Sequence, residues 1–278
     1  MSPDLKDQTI SLEVPENATV SLPVEISSPQ AVRGAFGKNS NSTVVFNYLQ
    51  AEQKAGENAA YEFFLGEGSA LEVFYVEPSF NGVSRFYLEK DSALRIFFFS
   101  RDHAEVENRV LVQFKGENTR ASAAGLSILS GAAKAAYDIT MDHEHGQSKS
   151  EQFFKSVLAG RSRSEFRSLV SVHPGAQRSD SRQLNKNLLL SDLAEAYSRP
   201  ELRILADDVS CSHGSASGQI EDSELFYLQS RGISKVQARY LLVYGFAKEA
   251  MEGIRDQKLK AMLEAKITEK LGEVVPST

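Results

Sequence analysis

The sequence predicts a mainly β protein that ends in a small group of helices. From about Thr9 to Ile220, short runs of β-type residues are separated by Gly, Asn, Ser and Asp, which are typical of turns. After Ile220 the apolar residues recur every three or four positions, which is the period of an α-helix. These two observations predict a β body over residues 1–221 and a C-terminal helical domain over residues 222–278.

The β region divides into individual strands and turns. Several runs alternate apolar and polar residues, as in Thr9–Val14, and this pattern is typical of a half-buried strand. The other predicted strands are Val20–Ile26, Thr43–Leu49, Ala70–Val76, Ala93–Phe99, Arg109–Phe114, Phe166–Val172 and Asn187–Leu190. Turns are predicted at Asn17-Ala18, Gly66–Gly68, Asn81-Gly82 and Gly116–Asn118.

The strand pattern alone leaves a sandwich, a barrel and a β-solenoid open. More than two hundred residues of strands at near-regular spacing are long for a single sandwich. A solenoid accommodates this length because each coil covers the apolar face of the coil before it. Against a solenoid, the sequence has no strict repeat.

Three helices are predicted after the β region. Asp222 is a candidate cap for the first helix, and Gly232 follows as its stop. Ser234 and Gln237 have the spacing of a capping box and begin the second helix. The apolar positions of that helix are Val236, Tyr240, Val243, Ala247, Met251 and Ile254. The third runs from about Gln257 to Leu271 with one apolar stripe, Leu259, Leu263, Ile267 and Leu271.

Composition and charge exclude several functional classes. The 278 residues are 41% hydrophobic and 24% charged, and the net charge of −6 disfavours a nucleic-acid partner. The single cysteine excludes an internal disulfide framework and fits a reducing compartment. The first residues lack the basic and apolar regions of a signal peptide, and apolar runs such as Ile96–Phe99 are too short to span a membrane. We therefore expect a cytoplasmic protein without a membrane partner.

The stretch Leu205–Ile220 contains the most reactive side chains. Cys211 and His213 are two positions apart, so they lie on the same face of an extended strand. A thiol and an imidazole suit iron, zinc or copper. One such pair cannot complete a metal site, because structural zinc takes four ligands and iron–sulfur clusters are mostly held by four thiolates. A metal here would need further ligands from elsewhere, for example from another chain. The alternative is that Cys211 acts as a small buried apolar residue.

Other polar sets have simpler interpretations. His143 and His145 could share a strand face, but a polar turn after a Tyr137–Thr140 strand explains them equally well. Amide side chains recur at every second position in Gln183, Asn185 and Asn187, and a structural amide ladder between parallel coils is the favoured interpretation. The sequence contains neither a G-x-S-x-G elbow nor a phosphate-binding P-loop.

From about Asn108 to Gly272 the sequence resembles the SufB/SufD family of iron–sulfur cluster assembly scaffolds, and its SufD members in particular. The blocks that carry the resemblance are Gln177–Ser191, Arg199–Ile204, Ala206–Gly214 and Leu225–Ile233. In the Asp-Asp-Val-x-Cys-Ser-His-Gly block, SufB proteins tend to carry a glutamate at the place of His213. One departure is Arg178-Ser-Asp180, where the family usually has Lys-Thr-Asp.

The resemblance implies a right-handed parallel β-helix followed by a helical domain. It implies that a SufB-like chain pairs with this one and that a SufC-like ABC-type ATPase docks on the helices at about Asp222–Leu271. A nascent, transient iron–sulfur cluster would form at the shared interface, with His213 as ligand and Cys211 as the weaker candidate. The chain itself would be a non-catalytic scaffold subunit, with ATP hydrolysis in a partner. The participation of a flavin is left open.

Two alternatives and one further departure accompany this interpretation. The chain could be a metal-free β-solenoid adaptor, or a β-helix enzyme acting on polysaccharides through Asp207, Asp208 or His213. The enzyme is less favoured because the sequence has no tryptophan, the usual sugar-stacking residue. Family members usually carry a helical segment before the β-helix, and this sequence is expected to lack it.

Overall fold

The computed structural model describes residues 9–20, 24–26, 31–47, 58–78, 81–102 and 106–275. Within these residues, sixteen strands precede three helices. The elements are β1 (Ile10–Val14), β2 (Val24–Ile26), β3 (Val32–Phe36), β4 (Asn41–Asn47), β5 (Asn58–Leu65), β6 (Ala70–Val76), β7 (Asn81–Leu88), β8 (Ala93–Arg101), β9 (Val106–Phe114), β10 (Arg120–Leu129), β11 (Lys134–His143), β12 (Lys149–Leu158), β13 (Arg163–Val172), β14 (Asp180–Leu189), β15 (Glu195–Ile204), β16 (Ser210–Gly218), α1 (Asp222–Ser230), α2 (Lys235–Glu249) and α3 (Gln257–Val274).

The strands form two parallel sheets that the chain visits alternately. One sheet, called here the odd sheet, has the order β1-β3-β5-β7-β9-β11-β13-β15, and the even sheet has the order β16-β14-β12-β10-β8-β6-β4-β2. Neighbouring strands in both sheets pair in parallel. Each odd strand and the next even strand therefore make one coil. The predicted fold class, a parallel β-helix followed by helices, is confirmed.

Tight turns lead from the odd sheet to the even sheet. Seven of them carry a residue with positive φ: Asn17, Asn39, Gly68, Asp91, Asn118, Gln147 and Arg178. Glycine, asparagine and aspartate tolerate this conformation best. Side chains of successive turns also bond to each other: the Nδ2 of Asn39 donates to Asn17 Oδ1 at 3.2 Å, and that of Asn118 donates to Asp91 Oδ1 at 2.6 Å. The predicted turns at Asn17, Gly66–Gly68 and Gly116–Asn118 are thus confirmed.

The predicted turn at Asn81-Gly82 is wrong, because β7 begins there. An Asn-Gly pair is a strong signal for a two-residue hairpin between antiparallel strands. A parallel β-helix has no such hairpins, so the pair is absorbed into a strand. Asn81 instead accepts a hydrogen bond from the backbone N–H of Glu107 in β9, at 2.9 Å.

The interior of the β-helix changes character along its length. Its first coils are filled by aromatic rings in register, such as Phe46 on Tyr75 and Tyr75 on Phe98, with ring centroids 5.0 and 4.6 Å apart. Nearer the C-terminal coil, the buried inward-facing residues are increasingly polar: Ser150, Gln152, Ser156, Ser164, Ser168, Ser181, Gln183, Asn185 and Asn187. The end of the β-helix therefore offers hydrogen-bonding groups rather than an apolar surface.

The predicted amide set lies on the inward face of β14 and makes hydrogen bonds within the interior. Gln183 donates to Ser168 Oγ at 2.6 Å, and Ser168 donates to Gln152 Oε1, also at 2.6 Å. Asn187 donates to Asn185 Oδ1 at 2.8 Å. The bond between Ser168 and Gln152 joins neighbouring coils, and the other two lie within one coil. All three bonds lie inside the β-helix, which supports the structural interpretation of these amides.

Helices α2 and α3 cover part of the outer face of the even sheet. The predicted stripe of α3 is confirmed, since Leu259, Leu263, Ile267 and Leu271 are buried in one cluster with apolar residues of the sheet. Ser234 caps α2 as predicted and accepts a hydrogen bond from the N–H of Gln237. Asp222 is the first residue of α1 rather than its cap, which is Glu221. Each helix in the described part of the chain is too short or too polar to cross a bilayer.

Two positions assigned to the second helix lie beyond it. The helix α2 ends at Glu249, whereas Met251 and Ile254 belong to the connection to α3 and are nevertheless buried. Met251 and Ile254 belong to the same apolar cluster as the helices. The connecting segment therefore contributes buried residues to this cluster without being helical itself. The last strand ends at Gly218 and α1 begins at Asp222, so the domain division at residue 221 stays a prediction.

Ion pairs attach the helices to the β body. Lys155, fully buried on the outer face of β12, pairs with Glu249 at the end of α2. Lys266 of α3 lies 2.8 Å from the buried Glu77, and Lys270 pairs with Asp102. Buried charges require such partners because an isolated one is costly.

Candidate functional site

The last coil of the β-helix leaves its interior open. Strands β15 and β16 are each at the end of their sheet, so each has one edge without a neighbouring strand among the described residues. In register, Cys211 lies over Ser181 and His213 lies over Gln183. Ser181 and Gln183 are buried by this last coil, whereas His213 is exposed and Cys211 is half-buried. The two residues singled out by the sequence therefore lie on the interior face of the last coil, which no further strand of the described residues covers.

His213 and Cys211 lie on the same face, as their spacing predicts, but they differ in environment. The side chain of His213 makes no hydrogen bond or ion pair with any described residue, so its imidazole is available to a ligand. Cys211 packs against the interior cluster, and burial raises the pKa of its thiol, with the carboxylate of Asp180 adding to the effect. Its reactive thiolate form is therefore disfavoured until a metal or another cation is present.

The acidic pair before the strand does not orient the imidazole. Asp207 and Asp208 are exposed in the turn that leads into β16. The contacts of Asp208 are made by its backbone: its N–H donates to Gln177 Oε1 at 2.9 Å, and its carbonyl accepts from the N–H of Arg178 at 2.5 Å. These contacts fix the entry to β16.

This chain supplies only part of a ligand set at the open end. Among the described residues, no three or more histidine, cysteine, aspartate or glutamate side chains come close enough together to hold a metal ion. An iron–sulfur cluster needs about four ligands. A cluster at Cys211 and His213 would therefore take further ligands from outside this chain.

A line of hydrogen bonds runs through the interior directly beneath the open coil. Ser181, directly beneath Cys211, lies 2.8 Å from the hydroxyl of Ser150, which in turn lies 2.8 Å from Nε2 of His143. Beneath His213, the Oε1 of Gln183 is buried without a hydrogen-bond partner. This oxygen is therefore a free hydrogen-bond acceptor within the polar interior.

The structure corrects the sequence interpretation of His143. This residue is the last of β11, is fully buried, and stacks on Phe114 with ring centroids 4.1 Å apart. His145 is exposed in the following turn, so the two histidines do not form a site. The strand continues through His143 because Phe114 and Val172 pair with it on either side.

His143 is expected to make folding sensitive to acid. Burial lowers its pKa from 6.5 to about 4, so below pH 6.5 the unfolded chain binds a proton that the folded chain excludes. The stability present above pH 6.5 is then lost as the pH falls toward 4, by up to about 3 kcal/mol. Denaturant unfolding of His143→Gln should show a shallower loss over this range. His145→Gln, the exposed control, should match the wild type; equal slopes for all three proteins would contradict the assignment.

Apolar side chains are exposed around the open end. Leu193, Tyr197 and Leu205 are 60%, 50% and 59% exposed. Free strand edges together with exposed apolar groups mark an interaction surface, because isolated proteins protect such edges. Pattern analysis missed these residues. A signal was present in β16, whose Ser- and Gly-rich sequence offers little apolar surface on which another coil could pack.

A second exposed apolar surface lies on the helices. The helix α1 buries none of its residues, and Phe226 and Tyr227 are 73% and 57% exposed. Leu241 of α2 is also exposed. Aromatic residues in such positions often anchor a partner.

A family model matches most of the chain. Residues 33–246 match the family model described as the SUF system FeS cluster assembly, SufBD core domain. The chain belongs to the SufB/SufD family. It is 40% identical to iron–sulfur cluster assembly protein SufD of Escherichia coli over 131 residues, which are 47% of this chain and 31% of that protein.

More distant relatives match a larger part of the chain. A SufBD family protein of Synechocystis is 30% identical over 220 residues, which are 78% of this chain and 47% of the relative. A SufBD family protein of Mycobacterium leprae is 34% identical over 192 residues, which are 66% of this chain and 49% of the relative. The chain thus spans about a third to a half of the length of these relatives.

Proposed function

We propose that this SufB/SufD family chain is a SufD-like, non-catalytic subunit of an iron–sulfur cluster assembly scaffold. It would pair with a SufB-like chain through the open end of its β-helix, and a nascent cluster would form at the junction. The observation that carries this proposal is the position of His213 and Cys211 on the uncovered interior face of the last coil.

The pairing is supported by the chemistry of the end strands. The free edges of β15 and β16 have backbone donors and acceptors that a partner's strands would satisfy, continuing both sheets. The same contact would bury Leu193, Tyr197 and Leu205. Apolar contacts together with strand pairing supply affinity and register at once.

The cluster is the cargo of this complex and is held only transiently. His213 would contribute its imidazole, which binds metals in the neutral form. Cys211 is the weaker candidate, because its half-buried thiol is held in the protonated form. The remaining ligands would come from the SufB-like chain.

The C-terminal segment 222–278, which contains α1, α2 and α3, is proposed as the docking site for the SufC-like ATPase. The double variant Phe226→Ala with Tyr227→Ala is expected to weaken ATPase binding by at least about tenfold, since exposed aromatic anchors dominate such interfaces. Its folding stability should not change, because α1 buries no residue. Titration of the ATPase against the full-length SufB-like and SufD-like pair measures the effect.

A tyrosine at the other surface provides the matched control. Tyr197→Ala, with a similar exposure, should leave ATPase binding intact and weaken pairing with the SufB-like chain. Unchanged ATPase binding by the α1 double variant would place the docking site elsewhere.

Co-expression tests the proposed function as a whole. The chain is produced with the SufB-like and SufC-like proteins of the same organism, purified by a tag on this chain, and examined anaerobically by absorbance spectroscopy. We expect a ternary complex that acquires cluster absorbance when iron and a sulfide source are supplied. The isolated chain should acquire little and should hydrolyse no ATP. Failure to recover either partner, or a stable cluster on the isolated chain, would overturn the proposal.

A further inference from the structure

The side chain directly beneath His213 is a buried glutamine. Gln183 of β14 lies in register with His213 of β16, on the interior face of the preceding coil, and is 2% exposed. Paired strands are about 4.8 Å apart, which is within the reach of a glutamine and an imidazole on the same face. Another register pair of these two strands is bonded in this way, since Asn187 Nδ2 donates to Ser217 Oγ at 3.1 Å.

The interior fixes the orientation of the Gln183 amide. Its Nε2 donates to Ser168 Oγ at 2.6 Å, and the hydroxyl of Ser168 donates in turn to Gln152 Oε1 at 2.6 Å. Because a serine hydroxyl has a single proton to donate, both amides are held in the same direction along this chain of bonds. The Oε1 of Gln183 is its free end, buried and without a partner among the described residues. A buried acceptor without a donor costs free energy, so a donor that reaches this oxygen is favoured.

A metal-bound imidazole requires such an acceptor. One ring nitrogen binds the metal, and the other carries a proton that is almost always donated to a carboxylate, a carbonyl oxygen or water. This second bond fixes the tautomer and the orientation of the ring. The acidic pair Asp207 and Asp208 lies in the turn before β16 and does not orient the imidazole. The amide oxygen of Gln183 has the chemistry that is needed, and it lies beneath His213 in register.

We infer that Gln183 is a positioning residue for His213, an inference that rests on the proposed function. When one nitrogen of the His213 imidazole binds iron of the nascent cluster, the other donates its N–H to Gln183 Oε1, and the proton stays on the ring. In the structure the imidazole is exposed and bonds to no described residue. The bond to Gln183 therefore forms as the ring turns toward the interior to meet its ligand. Gln183 acts through His213 and is not itself a ligand.

Two substitutions at position 183 separate this role from a structural one. Gln183→Met and Gln183→Glu both keep the length of the side chain and lose the N–H that donates to Ser168, but only the glutamate keeps an oxygen acceptor. Each variant is assembled with the SufB-like and SufC-like chains and reconstituted anaerobically with ferrous iron and sulfide. Gln183→Met is expected to lower cluster absorbance by about tenfold or more, since changes to groups around a metal ligand cost about 10–100-fold. Gln183→Glu should stay close to the wild type.

A second glutamine provides the matched control. Gln152 lies on the same interior face one coil further from His213, and Gln152→Met breaks the same chain of bonds at Ser168. This variant should assemble clusters like the wild type. Ser168→Ala leaves Gln183 unchanged but removes the hydroxyl that holds its amide, so it should lower cluster absorbance by about threefold, the worth of one typical hydrogen bond. Unfolding midpoints and recovery of the complex show which variants are folded, and Ser168→Ala decides the matter if Gln183→Met does not fold.

Several results in a folded complex would overturn the inference. Wild-type absorbance for Gln183→Met, an equal loss for Gln183→Met and Gln183→Glu, or no loss for Ser168→Ala would each do so. Absorbance above the wild type for Gln183→Met would mean that the amide presents its N–H to the imidazole instead of its oxygen. His213→Ala distinguishes failure of the proposed function: full absorbance in that variant removes the ligand itself. Loss in His213→Ala with wild-type absorbance in Gln183→Met removes the role of Gln183 alone.

Discussion

Replacing Phe154 by alanine is expected to lower the free energy of unfolding by about 3–5 kcal/mol, the range observed when a large aromatic side chain is deleted from a core. Phe154 is 2% exposed, and its ring packs on those of Tyr137 and Phe166 with centroids 5.0 Å away in each case. It also occupies the space over Gly125: a Cβ at that glycine would lie 2.5 Å from the ring. Truncation therefore opens a cavity that no neighbouring side chain fills.

Denaturant unfolding of the variant and the wild type measures this loss, and the two proteins should unfold with the same m value. Phe226→Ala removes the same side chain from an exposed site of α1 and should change stability by no more than about 0.5 kcal/mol. A loss below about 1 kcal/mol for Phe154→Ala would mean that the interior collapses around the gap.

The polar interior explains which strands could be predicted. Thr9–Val14 and Ala93–Phe99 alternate or run apolar and were recognised, and the structure extends or trims them by a few residues. The predicted Asn187–Leu190 is only the end of β14, which starts at Asp180. Its buried amides and serines are residue types that are typical of turns. They can be buried because they form hydrogen bonds inside the β-helix, with partners that a local sequence pattern does not reveal.

The sequence predicted which residues form the candidate site, but not that these residues are exposed. The spacing of Cys211 and His213 is sufficient to place both on one strand face, since side chains alternate along a strand. Whether that face is buried depends on whether another coil follows, which is a property of the whole solenoid. The same limit applies to Leu193 and Leu205, which are apolar residues of the kind that normally fill a core.

His213→Ala is expected to abolish cluster assembly without affecting the fold or the complex. The imidazole is exposed and bonds to no described residue, so its removal leaves no cavity and no unpaired partner. Loss of a metal ligand should reduce cluster absorbance in the ternary complex by at least about tenfold, since even changes to groups around a ligand cost 10–100-fold. Anaerobic absorbance after reconstitution, normalised to the complex recovered by pull-down, measures the effect.

Two neighbours on the same strand face make the result specific. Ser215→Ala, two positions further along β16, should leave cluster absorbance unchanged, because a serine hydroxyl is a poor ligand for iron. Cys211→Ser tests the weaker candidate and should reduce absorbance only if the thiol is a ligand. If His213→Ala retains full cluster absorbance in an intact complex, the imidazole is not a ligand. The open end would then serve strand pairing alone, as in a metal-free adaptor.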